Sequence, residues 1–117
     1  MNHLSSPSVT VILPILNEEA DLQNCISAIL QQDYAGEIEI ILALGPSKDK
    51  TNQIASDLAA GDKRIKLVNN PTGQTAKGLN LAIKESAFEI ICRIDGHSEI
   101  SNSYLRTAIS IMQESGA

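Results

Sequence analysis

The chain has 117 residues, enough for one domain with a modest hydrophobic core. Its net charge is −5 with no cluster of Lys or Arg, and it contains one Phe, two Tyr and no Trp. Because binding to a nucleic-acid polymer needs a basic patch or stacking aromatic side chains, this composition argues against that class of partner.

Apolar segments rich in β-branched residues alternate with amphipathic segments along the chain. In order, the patterns predict a strand (8–16), a helix (18–32), a strand (37–44), a helix capped by Ser47 or Asp49 that ends at Gly61, a strand (64–68), a helix (75–87), a strand (88–94) and a helix (102–114). This alternation predicts a doubly wound α/β fold, in which a mostly parallel four-stranded sheet carries helices on both faces.

The predicted domain covers residues 8–117, and residues 1–7 are predicted to be a disordered N-terminal segment. That segment lacks the charged and apolar regions of a signal peptide, so we expect a cytoplasmic protein. In sheets of this type, ligands bind beyond the carboxyl ends of the strands. Four loops are therefore candidates for a site: 14–19, 44–51, 69–78 and 95–101.

The first candidate loop reads PILNEE and contains Pro14, Asn17 and Glu18. Asn17 is a suitable helix cap, with two glutamates in the first turn, so capping alone would explain this composition. The alternative is a role in binding. Because two glutamates would repel phosphates, such a role would involve a base or a ribose.

The third candidate loop leads into a helix that carries Lys77 near its start and Asn80 one turn later. A cation is unfavourable at a helix N-terminus unless an anion is bound there, and Asn is a weak helix former. These two residues therefore indicate either an anionic ligand or merely solvent-exposed positions.

The fourth candidate loop, RIDGHSE, begins where the last predicted strand ends and contains Asp95, Gly96 and His97. In an extended backbone, Asp95 and His97 would point the same way, and Gly96 would let a ligand approach closely. A carboxylate with an imidazole suits Mn²⁺ better than Mg²⁺. The alternative interpretation is a turn with polar side chains and no bound cation.

Taken together and in order, these segments resemble the N-terminal half of a family 2 glycosyltransferase with the GT-A, Rossmann-like fold. The resemblance covers about residues 8 to 115. It rests on the following matches: Pro14, Asn17, Glu18 and Glu19 in the first loop, Ser47, Asp49 and Thr51 in the second, Lys77 and Asn80 at the third helix, and Asp95-Gly96-His97 in place of a DxD-type motif. The Arg-x-Asp-x-His form is similar to that of succinoglycan-type exopolysaccharide transferases.

The resemblance implies a nucleotide-diphospho-sugar donor as the bound partner. The residues implied around it are Pro14, Asn17, Glu18, Lys77, Asn80 and Asp95. Asp95 and His97 are the implied ligands of Mn²⁺ or Mg²⁺, with Mn²⁺ favoured. The implied activity is an inverting transfer of a sugar to a polysaccharide or a lipid-linked acceptor.

Two departures from the family pattern modify these expectations. Leu44 and Gly45 stand where the family usually carries an acidic pair, which favours a donor other than a UDP-sugar. The chain also resembles only half of a family member, so we expect a partial GT-A domain truncated at its C-terminus. The catalytic base is then expected beyond Ala117, the fragment alone is expected to be inactive, and membrane attachment is expected only through downstream segments.

The alternative function belongs to a different class, a non-catalytic α/β module for partner binding or self-assembly. Truncation after the last predicted helix would leave a sheet edge or an apolar surface uncovered, and such surfaces pair with other chains. A homo-oligomer formed through that surface is the expectation that distinguishes this alternative.

Overall fold

A computed structural model describes residues 6–115, and its centre is a four-stranded parallel sheet with the strand order β3-β2-β1-β4. The elements in chain order are β1 (Val9–Ile15), α1 (Leu22–Leu30), β2 (Ile38–Leu44), α2 (Thr51–Gly61), β3 (Ile65–Asn69), α3 (Thr75–Glu85), β4 (Ile90–Arg93) and α4 (Tyr104–Glu114). The predicted α/β fold with a mostly parallel sheet is confirmed, and all four strands are in fact parallel.

β1 lies in the middle of the sheet because both of its edges are paired. Val9 is in register with Ile38 of β2 on one side and with Ile90 of β4 on the other. Every residue of β2 is buried, which accounts for the continuous apolar run that predicted this strand. The central position of β1 brings its C-terminal end, at Ile15, next to the loops that follow the neighbouring strands.

The two faces of the sheet are covered unequally by helices. One face forms the larger core with α1, α2 and α4, through side chains that include Val11, Leu13, Ile26, Ala55, Leu105 and Ile109. The other face packs against α3 alone, through Ile12, Ile41 and Ala82 with Val68 and Leu79 around them. Helices on both faces were predicted and are confirmed, with three on one side and one on the other.

A buried carboxylate lies under α3 on the second face. Oε1 of Glu39 accepts hydrogen bonds from the Thr10 hydroxyl and from the N–H of Ala87, each at 2.8 Å, and Oε2 pairs with the Lys66 ammonium. Burial alone would raise the pKa of Glu39, but the donors from Ala87, Lys66 and Thr10 together hold that pKa below its ordinary value. Glu39 is therefore charged, and it ties the loop before β4 to strands β1, β2 and β3.

The first helix begins later than the sequence predicts. It was expected to start at residue 18 with Asn17 as its cap, but α1 begins at Leu22 after a turn in which the N–H groups of Asp21 and Leu22 bond to the carbonyl of Glu18. Asn17 instead adopts a positive φ of 53°. The capping interpretation of Asn17 is therefore wrong, because its side chain bonds to a different loop, as described below.

The predicted disordered segment 1–7 falls largely on residues 1–5, which lie outside the described residues. The carbonyl of Pro7 accepts a hydrogen bond from the hydroxyl of Tyr34. Within residues 6–115, none of the helices combines the length and the apolar content needed to cross a bilayer.

Candidate functional site

A cleft of about 270 Å³ opens at the carboxyl ends of β1 and β4, where three loops meet. It lies at the sheet edge where the sequence analysis placed its candidate loops. Its walls are formed by Pro14, Ile15, Leu16, Glu18, Asn70, Gly73, Thr75, Arg93, Asp95 and His97. Four of the predicted site residues, namely Pro14, Glu18, Asp95 and His97, are therefore brought together here.

The fourth candidate loop forms a tight turn at the rim of this cleft. The N–H of Ser98 donates to the carbonyl of Asp95 at 3.0 Å, so the extended backbone expected between Asp95 and His97 is replaced by a turn. Asp95 is paired instead with Arg93, whose Nη2 and Nε lie 3.1 and 3.3 Å from Oδ1 of Asp95. His97 turns towards the first loop, where its Nδ1 lies 3.3 Å from Oε2 of Glu18.

The contact between His97 and Glu18 joins an exposed ring to a mostly buried carboxylate. The side chain of His97 is 62% exposed and that of Glu18 is 17% exposed. The hydrogen bond to Glu18, followed by the charge of the same carboxylate, raises the pKa of His97 above its ordinary value. With Nδ1 held by a carboxylate, Nε2 is the ring nitrogen left for a cation, as in many metal-binding histidines.

Gly96 allows this turn to lie against the first loop. A Cβ atom at Gly96 would be 2.7 Å from Cδ1 of Ile15, closer than packed carbon atoms approach, and 3.2 Å from Oε2 of Glu18, a tight contact. The backbone of the turn therefore touches the end of β1, which is what brings His97 within reach of Glu18.

We expect Gly96→Ala to lower the free energy of unfolding by about 1 kcal/mol, because the added methyl group must push the turn away from Ile15 and Glu18. Urea denaturation followed by circular dichroism measures this change. Gly61→Ala is the matched control: no atom lies within 4 Å of a Cβ at Gly61, so that variant should be as stable as the wild type or more so. Equal stability of the two variants would contradict the packing argument.

The backbone of the first loop is held by side chains of the second. The three successive N–H groups of residues 17–19 donate, in order, to the hydroxyl of Ser47 at 2.9 Å, the hydroxyl of Thr51 at 2.8 Å and a carboxylate oxygen of Asp49 at 3.3 Å. We call residues 17–19 and 47–51 with these bonds the loop clasp. Each of the three N–H groups thus obtains a partner from outside its own segment.

In the loop clasp, side chains of the first loop also accept hydrogen bonds from backbone N–H groups of the second loop. Oδ1 of Asn17 accepts the N–H of Lys48 at 2.7 Å, and Oε1 of Glu19 accepts the N–H of Lys50 at 3.1 Å. Asn17 therefore lies in the loop clasp and is absent from the cleft wall, although it was predicted to contact the nucleotide. Its side chain fixes the backbone from which the neighbouring Glu18 enters the cleft.

Lys77 and Asn80 lie away from the cleft. Gly78 and Ala82 are the buried residues of α3, so Lys77 and Asn80 fall on the exposed side of the helix. There they border a second groove together with Pro71, Thr72, Leu81 and Lys84. The helical spacing of the small residues Gly78 and Ala82 was the signal in the sequence that could have indicated this orientation.

Close apolar packing surrounds Gly45, one of the two residues that stand where the family usually carries an acidic pair. A Cβ at Gly45 would lie 3.0 Å from Cδ1 of Leu16 and 3.3 Å from the Cα of Gly73, and the N–H of Gly45 donates to Ile15 at 2.8 Å. Gly73 itself has a positive φ of 68°, a conformation that favours glycine. The three loops touch at this point without a carboxylate between them.

Asp95 and His97 are the cleft residues that the family resemblance implies as ligands of a cation. Within residues 6–115, His, Cys, Asp and Glu form no group of three or more with metal-binding geometry. Asp95 and His97 both line the cleft, and Glu18 orients the ring of His97. A carboxylate and an imidazole supported in this way suit Mn²⁺, with the other positions left to water or to phosphate oxygens.

The amino-acid sequence matches glycosyl transferase family 2 over residues 10–117. One relative is the uncharacterized glycosyltransferase EpsJ of Bacillus subtilis, 32% identical over 97 residues, which cover 83% of this chain and 28% of EpsJ. Another is the succinoglycan biosynthesis protein ExoA of Rhizobium meliloti, 26% identical over 118 residues, which cover 99% of this chain and 36% of ExoA. The chain thus spans only about a third of the length of these relatives.

Two solved glycosyltransferase structures resemble the fold. S. aureus TarS 1–349 in complex with UDP-GlcNAc superposes with a TM-score of 0.73 at 24% identity, over 93% of this chain and 31% of TarS. The mannosyltransferase PcManGT from Pyrobaculum calidifontis, in complex with GDP-Man and Mn²⁺, superposes with a TM-score of 0.78 at 24% identity, over 89% of this chain and 32% of that protein. The GT-A fold predicted from the sequence is confirmed by these likenesses.

Proposed function

Because the chain belongs to glycosyl transferase family 2, we propose that it is the nucleotide-sugar-binding part of an inverting glycosyltransferase. The proposed acceptor is a polysaccharide or a lipid-linked sugar. The observation that supports the donor site is the cleft at the carboxyl ends of β1 and β4, where Pro14, Glu18, Asp95 and His97 converge. A UDP-sugar and a GDP-sugar are bound in the two structures of similar fold.

In this proposal, Asp95 and His97 hold a divalent cation, with Mn²⁺ favoured. The cation, when bound, would offset the negative charge that develops on the departing nucleoside diphosphate. Glu18 keeps the His97 ring oriented through Nδ1, and the loop clasp fixes the backbone of Glu18. The residues of the chain thus supply one carboxylate and one oriented imidazole for the cation.

The charges of the cleft make this binding depend on the cation. Glu18 and Asp95 are acidic residues of the cleft wall, and Arg93 is basic. A nucleoside diphosphate adds further negative charge, and Arg93, the one Lys or Arg among the described residues of the cleft wall, is already paired with Asp95. We therefore expect donor binding to require Mn²⁺ or Mg²⁺.

An inverting transfer needs a base that deprotonates the acceptor hydroxyl. Glu18 is engaged with His97 and Asp95 with Arg93, so we assign the base to neither of these carboxylates. The cytoplasmic location and the alternative of a self-associating, non-catalytic module both stay predictions.

Asp95→Asn tests the proposed donor site. We expect the wild type to bind UDP-GlcNAc or GDP-Man in isothermal titration calorimetry only when Mn²⁺ is present, since Arg93 is paired with Asp95 and the cation supplies the positive charge for the diphosphate. Asp95→Asn should weaken this binding at least about tenfold, because an amide is a poor ligand for the cation.

Asp62→Asn is the matched control for this experiment. Asp62 is also a partly exposed aspartate paired with an arginine two residues away, Arg64, and it follows α2 rather than bordering the cleft. Its substitution should leave donor binding unchanged. The proposal fails if the wild type binds none of these nucleotides with Mn²⁺, or if Asp95→Asn binds them as tightly as the wild type.

A further inference from the structure

Arg93 is the last residue of β4, and its side chain extends into the cleft wall. Its Nη2 and Nε lie 3.1 and 3.3 Å from Oδ1 of Asp95. The side chains of Arg93 and Asp95 are 48% and 46% exposed, so the ion pair is open to solvent and can exchange partners at small cost. The carboxylate proposed to hold the cation is therefore occupied by a guanidinium in the ligand-free protein.

Arg93 also supplies a permanent positive charge where the donor diphosphate would lie. Among the cleft-lining residues within the described part of the chain, it is the one Lys or Arg. Lys77, which the family resemblance implied for the nucleotide, lies on the exposed side of α3 beside the second groove. Arginine binds phosphate with two parallel hydrogen bonds, a geometry that the single ammonium of lysine does not offer.

A cation and the guanidinium of Arg93 would compete for the negative charge of one carboxylate. The guanidinium bonds to Oδ1 of Asp95, and a cation held by the same carboxylate would repel it. Binding of Mn²⁺ should therefore weaken the ion pair between Arg93 and Asp95. Because the backbone of Arg93 is fixed at the end of β4, its side chain remains within reach of the cleft.

We propose that Arg93 exchanges Asp95 for the donor diphosphate when the cation binds. In the metal-free protein, Arg93 neutralises Asp95 and competes with the cation. In the metal-bound protein, Arg93 becomes a donor-binding residue that contacts phosphate oxygens opposite the cation. This inference rests on the proposed function and assigns a phosphate contact to Arg93, whereas the family resemblance implied Lys77 as the basic residue near the nucleotide.

Arg93→Gln tests the exchange through two affinities that should move in opposite directions. Binding of Mn²⁺ alone, measured from the electron paramagnetic resonance signal of free Mn²⁺, should become about twofold to fivefold tighter because the competing ion pair is lost. Binding of UDP or GDP at saturating Mn²⁺, measured by calorimetry, should become about tenfold weaker because a charged contact to phosphate is lost. Arg93→Lys should recover only part of the nucleotide affinity.

Arg64→Gln is the matched control, since it removes an exposed arginine paired with Asp62 outside the cleft and should change neither affinity. The inference is overturned if Arg93→Gln leaves nucleotide affinity unchanged in a protein that binds Mn²⁺ and nucleotide, or if both affinities move in the same direction. A wild type that binds Mn²⁺ but neither nucleotide overturns the proposed function itself, and the phosphate contact of Arg93 with it.

Discussion

Replacing Glu39 with alanine should lower the free energy of unfolding by about 3 kcal/mol, the largest effect expected for a single substitution on a polar residue of this chain. The substitution removes the acceptor of the Thr10 hydroxyl, which is fully buried, and of the N–H of Ala87. It also removes the partner of Lys66, but that side chain is half exposed and can be solvated by water. Urea denaturation measures the change, and the exposed Glu37 gives the control, because Glu37→Ala should alter stability by less than about 0.5 kcal/mol.

The pH dependence of stability provides a second measurement on the same carboxylate. The pKa of Glu39 is lower in the folded state than its ordinary value of about 4.3, so the unfolded chain binds the proton more readily. The stabilisation is therefore complete above about pH 5 and is lost as the pH falls through the folded pKa. The stability difference between the wild type and Glu39→Gln should shrink on acidification from pH 5 to pH 3, and a difference that grows would contradict the charged state of Glu39.

Thr51→Val should lower the free energy of unfolding by about 2 kcal/mol, although the two side chains have the same shape. The Thr51 side chain is fully buried, and its hydroxyl accepts the N–H of Glu18 at 2.8 Å while donating to Asp49. Valine fills the space but leaves the N–H of Glu18 without its partner. Because Glu18 orients His97, we also expect weaker Mn²⁺-dependent nucleotide binding in calorimetry.

Thr51→Ser separates the hydroxyl from the methyl group of this residue. Serine keeps both hydrogen bonds and should retain nucleotide affinity, at the cost of about 1 kcal/mol of stability from the lost buried methyl group. If the valine variant binds nucleotide as the wild type does, the loop clasp has no part in positioning Glu18.

The sheet could be predicted from the sequence because its determinants are local. Runs of β-branched residues marked the strands, and the alternation with amphipathic segments left a parallel sheet as the consistent arrangement. The start of α1 could not be predicted in the same way. Residues 17–19 look like a capped helix start, but their N–H groups are bonded by side chains 30 to 33 positions later, and no local pattern contains that information.

The residues of the candidate site show the same difference between what local sequence patterns predict and what depends on the tertiary structure. Asp95 and His97 were identified because they follow a strand, whose carboxyl end the topology places at the ligand edge. Lys77 was predicted because of its charge at a helix start. The buried side of α3 contains Gly78 and Ala82, so Lys77 lies on the exposed side of the helix. Arg93 was counted only as part of a predicted strand, because its ion pair with Asp95 and its place in the cleft wall are visible only in the structure.

β4 is short and lies at one edge of the described sheet. β4 has four residues and, among the described strands, pairs with β1 alone, yet its docking brings together Glu18 and His97, which are 79 positions apart. Closing so long a loop costs entropy that few backbone hydrogen bonds repay, so local opening of this edge costs less than global unfolding. A ligand that contacts both the first and the fourth candidate loops is therefore expected to stabilise the pairing of β4 with β1.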